Sequence, residues 1–273
     1  MRINQNIAAF NAYRNLSMTQ GSLGRSLEKL SSGYRINRAG DDAAGLVKSE
    51  SLRAEVGGTR VAIRNAQDGV SFIQTSEGAL NEVHSILQRV RDLAVDASNT
   101  ATTDGAPQQA EIDELLAELD AIGNKSTFAG NQVFDGSARS FQVGAYEGAE
   151  NQISFTSLAL SSAALGNNAA NLSAIDVTSL AGATGAISAV DAAIDSVSLQ
   201  RADLGAFQNR LEHTINNLNV AAENLAASES RIRDADMASE MVTFTRNQIL
   251  QQAGTAMLAQ ANQIPQSVLS LLR

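Results

Sequence analysis

Residues 52–94 read LRAEVGGTRVAIRNAQDGVSFIQTSEGALNEVHSILQRVRDLA, and their apolar positions recur at intervals of three and four. The stripe runs Val56, Thr59, Ile63, Ala66, Val70, Ile73, Leu80, Leu87 and Ala94, interrupted on that face by Glu77, His84 and Arg91. A strand would alternate every second residue. A period between three and four sustained over this length predicts a long α-helix packed in a coiled-coil manner. Gly57-Gly58, Gly69 and Gly78 weaken it, each by about 1 kcal/mol relative to Ala, without ending it.

The same period returns on both sides. Leu16, Leu23 and Leu30 fall seven apart near the start, with Thr19 and Leu27 on the same stripe. The second half carries Ile187, Val190, Ile194, Val197, Leu204, Leu211, Ile215, Leu218, Ala222, Leu225 and Ile232, with Arg201, Gln208 and Glu229 in register. Between the helices, Ser31-Ser32-Gly33 and Ala39-Gly40-Asp41-Asp42 read as a linker, with Asp41 or Asp42 capping the next helix. Thr100 to Pro107 reads as a loop, followed by a short amphipathic helix with Ile112, Leu115, Leu116, Leu119 and Ile122 on one side. Phe141 and Val143, then Ile153 and Phe155, alternate with polar neighbours around Glu147–Asn151, which predicts a β-hairpin. Residues 161–185, rich in Ser, Ala, Asn and Gly, read as a short surface turn. The expected fold is mainly α: long antiparallel helices in coiled-coil packing, a small β-hairpin region, and paired N- and C-terminal helices.

Composition narrows the function classes. The 273 residues carry a formal charge of −9, no Cys, no Trp, two His and 4% aromatic residues against 44% hydrophobic. So few rings favour close-packed helices over an aromatic-rich sandwich. Without Cys there is no disulfide framework, thiol catalysis or Cys-based zinc site, and two His leave little for a multi-His metal centre. An acidic chain lacks the basic stripe that nucleic-acid binding requires. The opening Met-Arg-Ile-Asn-Gln-Asn-Ile has no apolar h-region, so no secretory signal peptide is expected. The uncharged run Asn247 to Leu272 has the length of a membrane span, but its Gln and Asn side chains and Pro265 speak against one.

The two ends share an unusual character. Residues 241–273 carry only Arg246 and Arg273 as charges, yet Leu250, Met257, Ile264 and Leu271 are spaced by seven, with Leu258, Ala261 and Val268 widening the stripe. The first 24 residues carry only Arg2 and Arg14. A solvated helix normally shows a charged outer face. Helices flanked by amides instead suit an environment of neighbouring helices, so both termini are expected to order fully only when several chains pack together.

Motifs for catalysis are missing. His84 and His213 stand in different long helices with no H-E-x-x-H or E-x-x-H, and read as solvent-facing or interhelical. Asp234-Ala235-Asp236 with Glu240 lacks the glycine and ligand spacing of a calcium loop and reads as helix capping. Asp41-Asp42 as paired catalytic carboxylates gives way to capping in the same way. Neither a nucleophile elbow nor a phosphate loop appears, and the sequons at Asn15, Asn124 and Asn171 are of a kind common by chance. No catalysis, cofactor or metal is assigned.

Several long motifs carry a family resemblance. The stretch Leu30-Ser-Ser-Gly-Tyr-Arg-Ile-Asn-Arg-Ala-Gly-Asp-Asp-Ala-Ala-Gly-Leu46 closely resembles the N-terminal signature of bacterial flagellins, and Met1-Arg-Ile-Asn-Gln-Asn-Ile7 resembles their opening. Ser230-Arg-Ile-Arg-Asp-Ala-Asp-Met-Ala-Ser-Glu240, the run Gln248–Gln263 and the ending Val-Leu-Ser-Leu-Leu-Arg resemble their C-terminal signature. The likeness covers about residues 1–160 and 184–273 and departs in the middle, where only 161–185 stands in place of large outer domains. It implies a minimal filament subunit: 1–40 and 233–273 as the two halves of an inner coiled coil, 41–160 as inner-shell helices with the hairpin, 161–185 as a variable surface turn, and 186–232 as the returning shell helix. The partners it implies are further copies of the chain in a homopolymer, an export chaperone at the C-terminal segment, and hook-associated junction and cap proteins. Export through the flagellar secretion channel without a cleaved signal, to an extracellular filament, is implied as well. Membrane and nucleic acid are not among the expected partners.

The residues expected to carry self-assembly are Leu16, Leu23, Leu30, Leu250, Met257, Leu258, Ile264, Val268 and Leu271. The segment Leu87-Gln-Arg-Val-Arg-Asp-Leu93 also resembles the surface that the vertebrate Toll-like flagellin receptor recognises, which implies contacts from Arg89, Leu93 and Glu111. Two other readings compete: a hook–filament junction protein, and a secreted adhesin or immune-modulating binding protein that works as a monomer. Polymerisation separates the filament reading from the monomeric one.

Overall fold

The computed structural model describes residues 6–99, 105–167 and 170–271, with side chains described apart from those of 167, 170 and 264–271. Five helices dominate: α1 Ile7–Ser32, α2 Ala43–Ala97, α3 Ala106–Lys125, α4 Leu180–Arg233 and α5 Met237–Leu271. Local chemistry sets their ends. The Asn6 side chain accepts from the Ala9 N–H at the start of α1, and Gly33 stops that helix with a φ of 76°, a left-handed conformation that costs a glycine nothing. Asp42 caps α2 by accepting from the Gly45 N–H at 2.9 Å, and Asp236 caps α5 by accepting from the Ala238 N–H at 3.0 Å. Asp41 does not cap. It accepts from the Asn37 and Arg38 N–H groups and closes the turn before α2, and these bonds hold its pKa below the usual value, Arg38 first and Asn37 second.

The chain divides into two compact units. A terminal unit takes residues 1–55 and 223–273, and a central unit takes 56–222. The division falls within α2 and α4.

In the central unit α2 runs antiparallel to α4, as shown by Arg91 on Asp191, Glu77 facing Arg201, and Gly69 against Leu211. The helix α3 returns along α2, with Arg89 bound to Glu111 and the Gln108 side chain donating to Asp96. The buried seam of α2 is Val56, Thr59, Ala62, Ala66, Ile73, Ser76, Leu80, Val83, Leu87, Val90, Ala94 and Ala97. Half of it matches the expected stripe. The other half is displaced by one residue: Ala62, Ser76, Val83 and Val90 occupy the centre, while Ile63, Glu77, His84 and Arg91 move to the flank. The helix α4 shows the same displacement, with Ala186 and Ala193 buried and Ile187 and Ile194 only partly so. Small residues on the centre line let helix axes approach closely, and the larger ones pack alongside.

The expected hairpin is present. One strand, Ala138–Gln142, pairs antiparallel with a second, Gln152–Thr156, with Phe141 opposite Ile153. Two smaller ladders join Thr127–Phe128 to Asn131–Gln132 and Gly166–Asn167 to Ala170–Asn171. The hairpin lies against α2 so closely that a Cβ at Gly58 would meet Ala145 at 2.9 Å, and the Asn65 side chain donates to the Gln142 carbonyl. The scarce rings gather here: Phe72 stands 5.8 Å from Phe128, 5.9 Å from Phe141 and 6.1 Å from Phe155. Arg139 covers Phe72 and binds Asp135.

One expectation needs correction. Residues 161–185 are no loose surface turn, because Leu165, Leu172, Ile175, Val177 and Ala183 are all buried in the core. Isolated apolar residues in a Ser- and Asn-rich background have no period to reveal them, yet all five join the core cluster. Among the described residues one helix, α4, is long and apolar enough to cross a membrane; Ala183, Ala186, Ala189, Val190, Ala193 and Val197 on it are buried in the core of the central unit.

Candidate self-assembly surface

In the terminal unit α1 and α5 lie antiparallel, with the Asn6 side chain donating to the Ala261 carbonyl at one end and the Ala235 N–H to the Gly33 carbonyl at the other. Leu16 packs so tightly on α5 that a Cβ at Gly254 would lie 3.2 Å from its Cδ1. Yet among the described residues only Leu16, Ile36 and Ala261 are buried apolar side chains in this unit. Two helices alone cannot enclose an apolar face on both sides.

What stays outside is large and apolar. Phe10 is 70% exposed, and Ile7, Tyr13 and Met18 of α1 are exposed with it. At 100° per residue, Ile7, Phe10 and Met18 fall on the side of α1 opposite Leu16. On α5, Met241, Val242, Ile249, Leu250 and Met257 are exposed; Met241, Val242, Ile249 and Leu250 line a shallow groove with Thr245 and Arg246. A second groove of about 370 Å³ follows the α1–α5 seam, between Ala8, Ala12, Asn15 and Thr19 on one side and Leu250, Ala253 and Met257 on the other. Glu240 and Arg246 are the only charged residues of α5. So many large apolar side chains left in water, with little charge beside them, are unusual on a surface.

The sequence-derived assembly residues divide into three groups. Leu16 is buried, and Leu23, Leu30 and Leu258 are half-buried. Leu250 and Met257 border the grooves and are exposed. The side chains of Ile264, Val268 and Leu271 lie outside the described residues. The outer face of Ile7, Phe10, Met18, Val242 and Ile249 was missed, although its own helical spacing is visible once the Leu16 stripe is set aside.

Residues 3–139 match the family model of the bacterial flagellin N-terminal helical region, and residues 187–272 that of the bacterial flagellin C-terminal helical region. The chain belongs to the bacterial flagellin family. It is 49% identical to the flagellin of Bacillus subtilis (strain 168) and 50% identical to that of Halalkalibacterium halodurans, in each case over the whole of both chains. It is also 46% identical to the flagellar filament 33 kDa core protein of Treponema phagedenis, again over both full lengths.

The receptor-contact candidates of this flagellin lie in the central unit. Arg89 and Glu111 are exposed and joined by an ion pair at 2.7 Å between α2 and α3. Leu93 is only 6% exposed and belongs to the core cluster, so its side chain is not at the surface. Both histidines lie on long helices: His84 is half-buried beside Gln88, and His213 is exposed. Among the described residues no group of three acidic or His side chains is placed to hold a metal.

Proposed function

We propose that polymerisation covers the outer faces of α1 and α5, so that the terminal pair becomes the inter-subunit element of the polymer. As a flagellin, the chain is a structural subunit of the extracellular bacterial flagellar filament. The observation that carries the assembly reading is that, among the terminal unit's described residues, only Leu16, Ile36 and Ala261 are buried apolar side chains, while Ile7, Phe10, Met18, Val242 and Ile249 are exposed. Enclosing each such side chain contributes roughly 1.5–3 kcal/mol, against about 1–2 kcal/mol per residue for each backbone position that must be ordered. Neighbours that share the burial shift this balance toward the ordered pair. In this reading 1–40 with 233–273 form the inner core and 41–160 with 186–232 the shell around it. Before assembly the exposed face of α5 needs a cover, a role that suits an export chaperone during secretion through the flagellar channel. Hook-associated junction and cap proteins would meet the same helices at the filament ends.

Seeded polymerisation tests the reading. Full-length subunits are expected to grow long filaments on seeds, and removal of 241–273 to abolish growth while the central helices keep their circular dichroism. Leu258→Asp should act in the same direction by placing a charge in an interhelical stripe. Ordinary filaments from the truncated chain would overturn it. A second activity is proposed for the free monomer, whose exposed Arg89–Glu111 pair offers a surface to the Toll-like flagellin receptor. Unchanged activation by Arg89→Asp in a cell reporter assay would exclude that activity.

A further inference from the structure

Sulfur is distributed unevenly along this chain. With no Cys, its only sulfur atoms belong to Met1, Met18, Met237, Met241 and Met257. All five residues fall in the terminal unit, and the central unit has none. Met1 lies outside the described residues. The other four are between 46% and 64% exposed, although α1 and α5 lie against each other. Met241 borders the groove with Val242 and Ile249, and Met257 borders the groove along the α1–α5 seam. At about 100° per residue, Met241 and Met257 bracket the Val242–Ile249 face, and Met18 stands on α1 opposite Leu16.

Demand for apolar volume does not explain this placement. Leu can replace Met at nearly constant volume, and it occurs in both units: Leu80 and Leu87 in one, Leu16 and Leu250 in the other. The core cluster of the central unit is built from Leu, Ile, Val, Ala and Phe without Met. Two properties set Met apart from Leu. Its unbranched thioether adapts to irregular contacts, and its sulfur can be oxidised. Pairing of α1 with α5 leaves all four described Met side chains open to solvent. A chain whose termini have not yet ordered opens them further.

We infer that these methionines make assembly sensitive to oxidation: a subunit oxidised while free is refused by the growing polymer, and a subunit already built in is protected. This rests on the assembly reading. The step is a two-electron oxidation by hydrogen peroxide. The thioether sulfur attacks one peroxide oxygen, an S–O bond forms as the O–O bond breaks, and hydroxide leaves. The hydroxide takes the proton of the transferred hydroxyl and becomes water, so sulfur is oxidised to the sulfoxide and the peroxide is reduced. The product carries a polar oxygen where the parent side chain was apolar. Water solvates that oxygen in the free chain. At a contact lined by Val242, Ile249 and Leu250 no neighbouring side chain offers it a hydrogen bond, and its burial there is unfavourable.

Seeded growth of full-length subunits tests this gate. Free subunits treated with dilute hydrogen peroxide, then cleared of it, should show one added oxygen on Met18, Met241 and Met257 by peptide mass spectrometry. The subunit concentration needed for growth should rise about ten-fold, while the central helices, which hold no sulfur, melt as before. A methionine sulfoxide reductase with a thiol reductant should restore growth of the oxidised chains. A fourfold variant, Met18→Leu with Met237→Leu, Met241→Leu and Met257→Leu, should grow untreated and be indifferent to peroxide. If that variant fails to grow untreated, the reductase rescue of the wild-type chain carries the test. In finished filaments the same sulfurs should oxidise about ten-fold more slowly than in free subunits, since susceptibility follows exposure. Oxidised chains that grow like untreated ones, growth that the reductase fails to restore, or equal oxidation rates in filament and free subunit would each overturn the gate while leaving the filament reading in place. Untreated wild-type chains that fail to polymerise would remove the filament reading and the gate together.

Discussion

Leu80 and Phe10 are both large apolar residues on long helices, and the chain treats them oppositely. Leu80 is fully buried between the helices of the central unit, whereas Phe10 is 70% exposed on the terminal unit. The contrast extends to whole regions. The central unit closes its own seams with Ile73, Leu80, Val83, Leu87, Ile112, Leu119, Leu204 and Leu211, and fills the space under the hairpin with clustered phenyl rings. The terminal pair has shorter helices that are as rich in apolar residues, with far less to pack against. What separates the two is the number of layers. Three helices and a hairpin enclose a core, while two helices share only one seam, so the opposite faces of α1 and α5 remain open. A folded monomer and an assembly-competent one are thus written into different parts of the same sequence.

The largest effect that can break this comparison is a charge on the open face. Val242→Asp with Ile249→Asp should raise the monomer concentration needed for growth by about a hundred-fold or more, since each ionised carboxylate would have to be desolvated in the polymer. Sedimentation of seeded reactions measures it. The monomer's melting should stay as it is, because both positions are exposed. Filaments that tolerate both charges would show that this face remains in water after assembly.

Next in size is a matched pair of truncations. Leu80→Ala removes a fully buried side chain and should cost about 2–5 kcal/mol of central-unit stability, read by chemical denaturation. Leu16→Ala removes a side chain from the single α1–α5 seam. It should leave that denaturation curve nearly unmoved and lower the yield of polymer instead. Equal losses of monomer stability at both positions would mean that the terminal pair has a core of its own, and the contrast would collapse.

The helices and the hairpin were legible because periodicity survives averaging: Leu80, Leu87 and Ala94 fall seven apart however the neighbours are read. The register between them was not. Ala62 lies on the seam and Ile63 beside it, and the larger residue looks like the core one. In a chain with so few rings the helices come close together, so Ala62, Ala186 and Ala193 take the centre and Ile63, Ile187 and Ile194 the flank. That also explains Glu77, His84 and Arg91, which looked like polar breaks in a stripe and prove to be flank residues, two of them paired with Arg201 and Asp191. Leu165 and Leu172 escaped notice for another reason: a buried loop residue has no period. For the interface, the stripe with the strongest heptads is the one the chain closes by itself around Leu16. The face left exposed is the weaker pattern of Ile7, Phe10, Val242 and Ile249, and period alone cannot say which of two apolar faces is already covered.

A smaller effect concerns the root of α2 inside the terminal unit. Asp42→Ala removes the side chain that accepts from the Gly45 N–H and should cost about 0.5–2 kcal/mol of local helix stability. With little core nearby to share the loss, exchange of the Gly45 amide should quicken several-fold while the Leu80 amide stays protected. Equal acceleration at both positions would mean that α2 opens as one cooperative rod and that the two units are not separately stabilised.

The smallest expected effect is titration of two turn carboxylates, one in each unit. Asp135 in the central unit accepts from the Ser137 hydroxyl and the Ser137 N–H, which together hold its pKa down at about 2, against an ordinary value of 3.8. Asp41 in the terminal unit is lowered by the Arg38 and Asn37 N–H groups. Because both folded-state values are depressed, the ionised form stabilises the fold. That contribution is full above about pH 4 and is lost as pH falls through the folded pKa, by about pH 2 for Asp135. The difference between the units should appear in how each turn responds to protonation. Around Asp135 the Phe72, Phe141 and Phe155 rings remain packed, so acid should loosen only the Ser137 amide. In the turn that holds Asp41, Ile36 is the only buried apolar side chain among the described residues, so the Asn37 and Arg38 amides should exchange faster and the turn should open as a whole. Amide exchange between pH 5 and pH 2, compared for Asp41→Asn and Asp135→Asn, separates the two, because each Asn keeps an acceptor oxygen but cannot titrate. If both turns opened to the same extent in the parent chain, a closed core would confer no protection on the loop above it, and the distinction between the two units would have to rest on assembly alone.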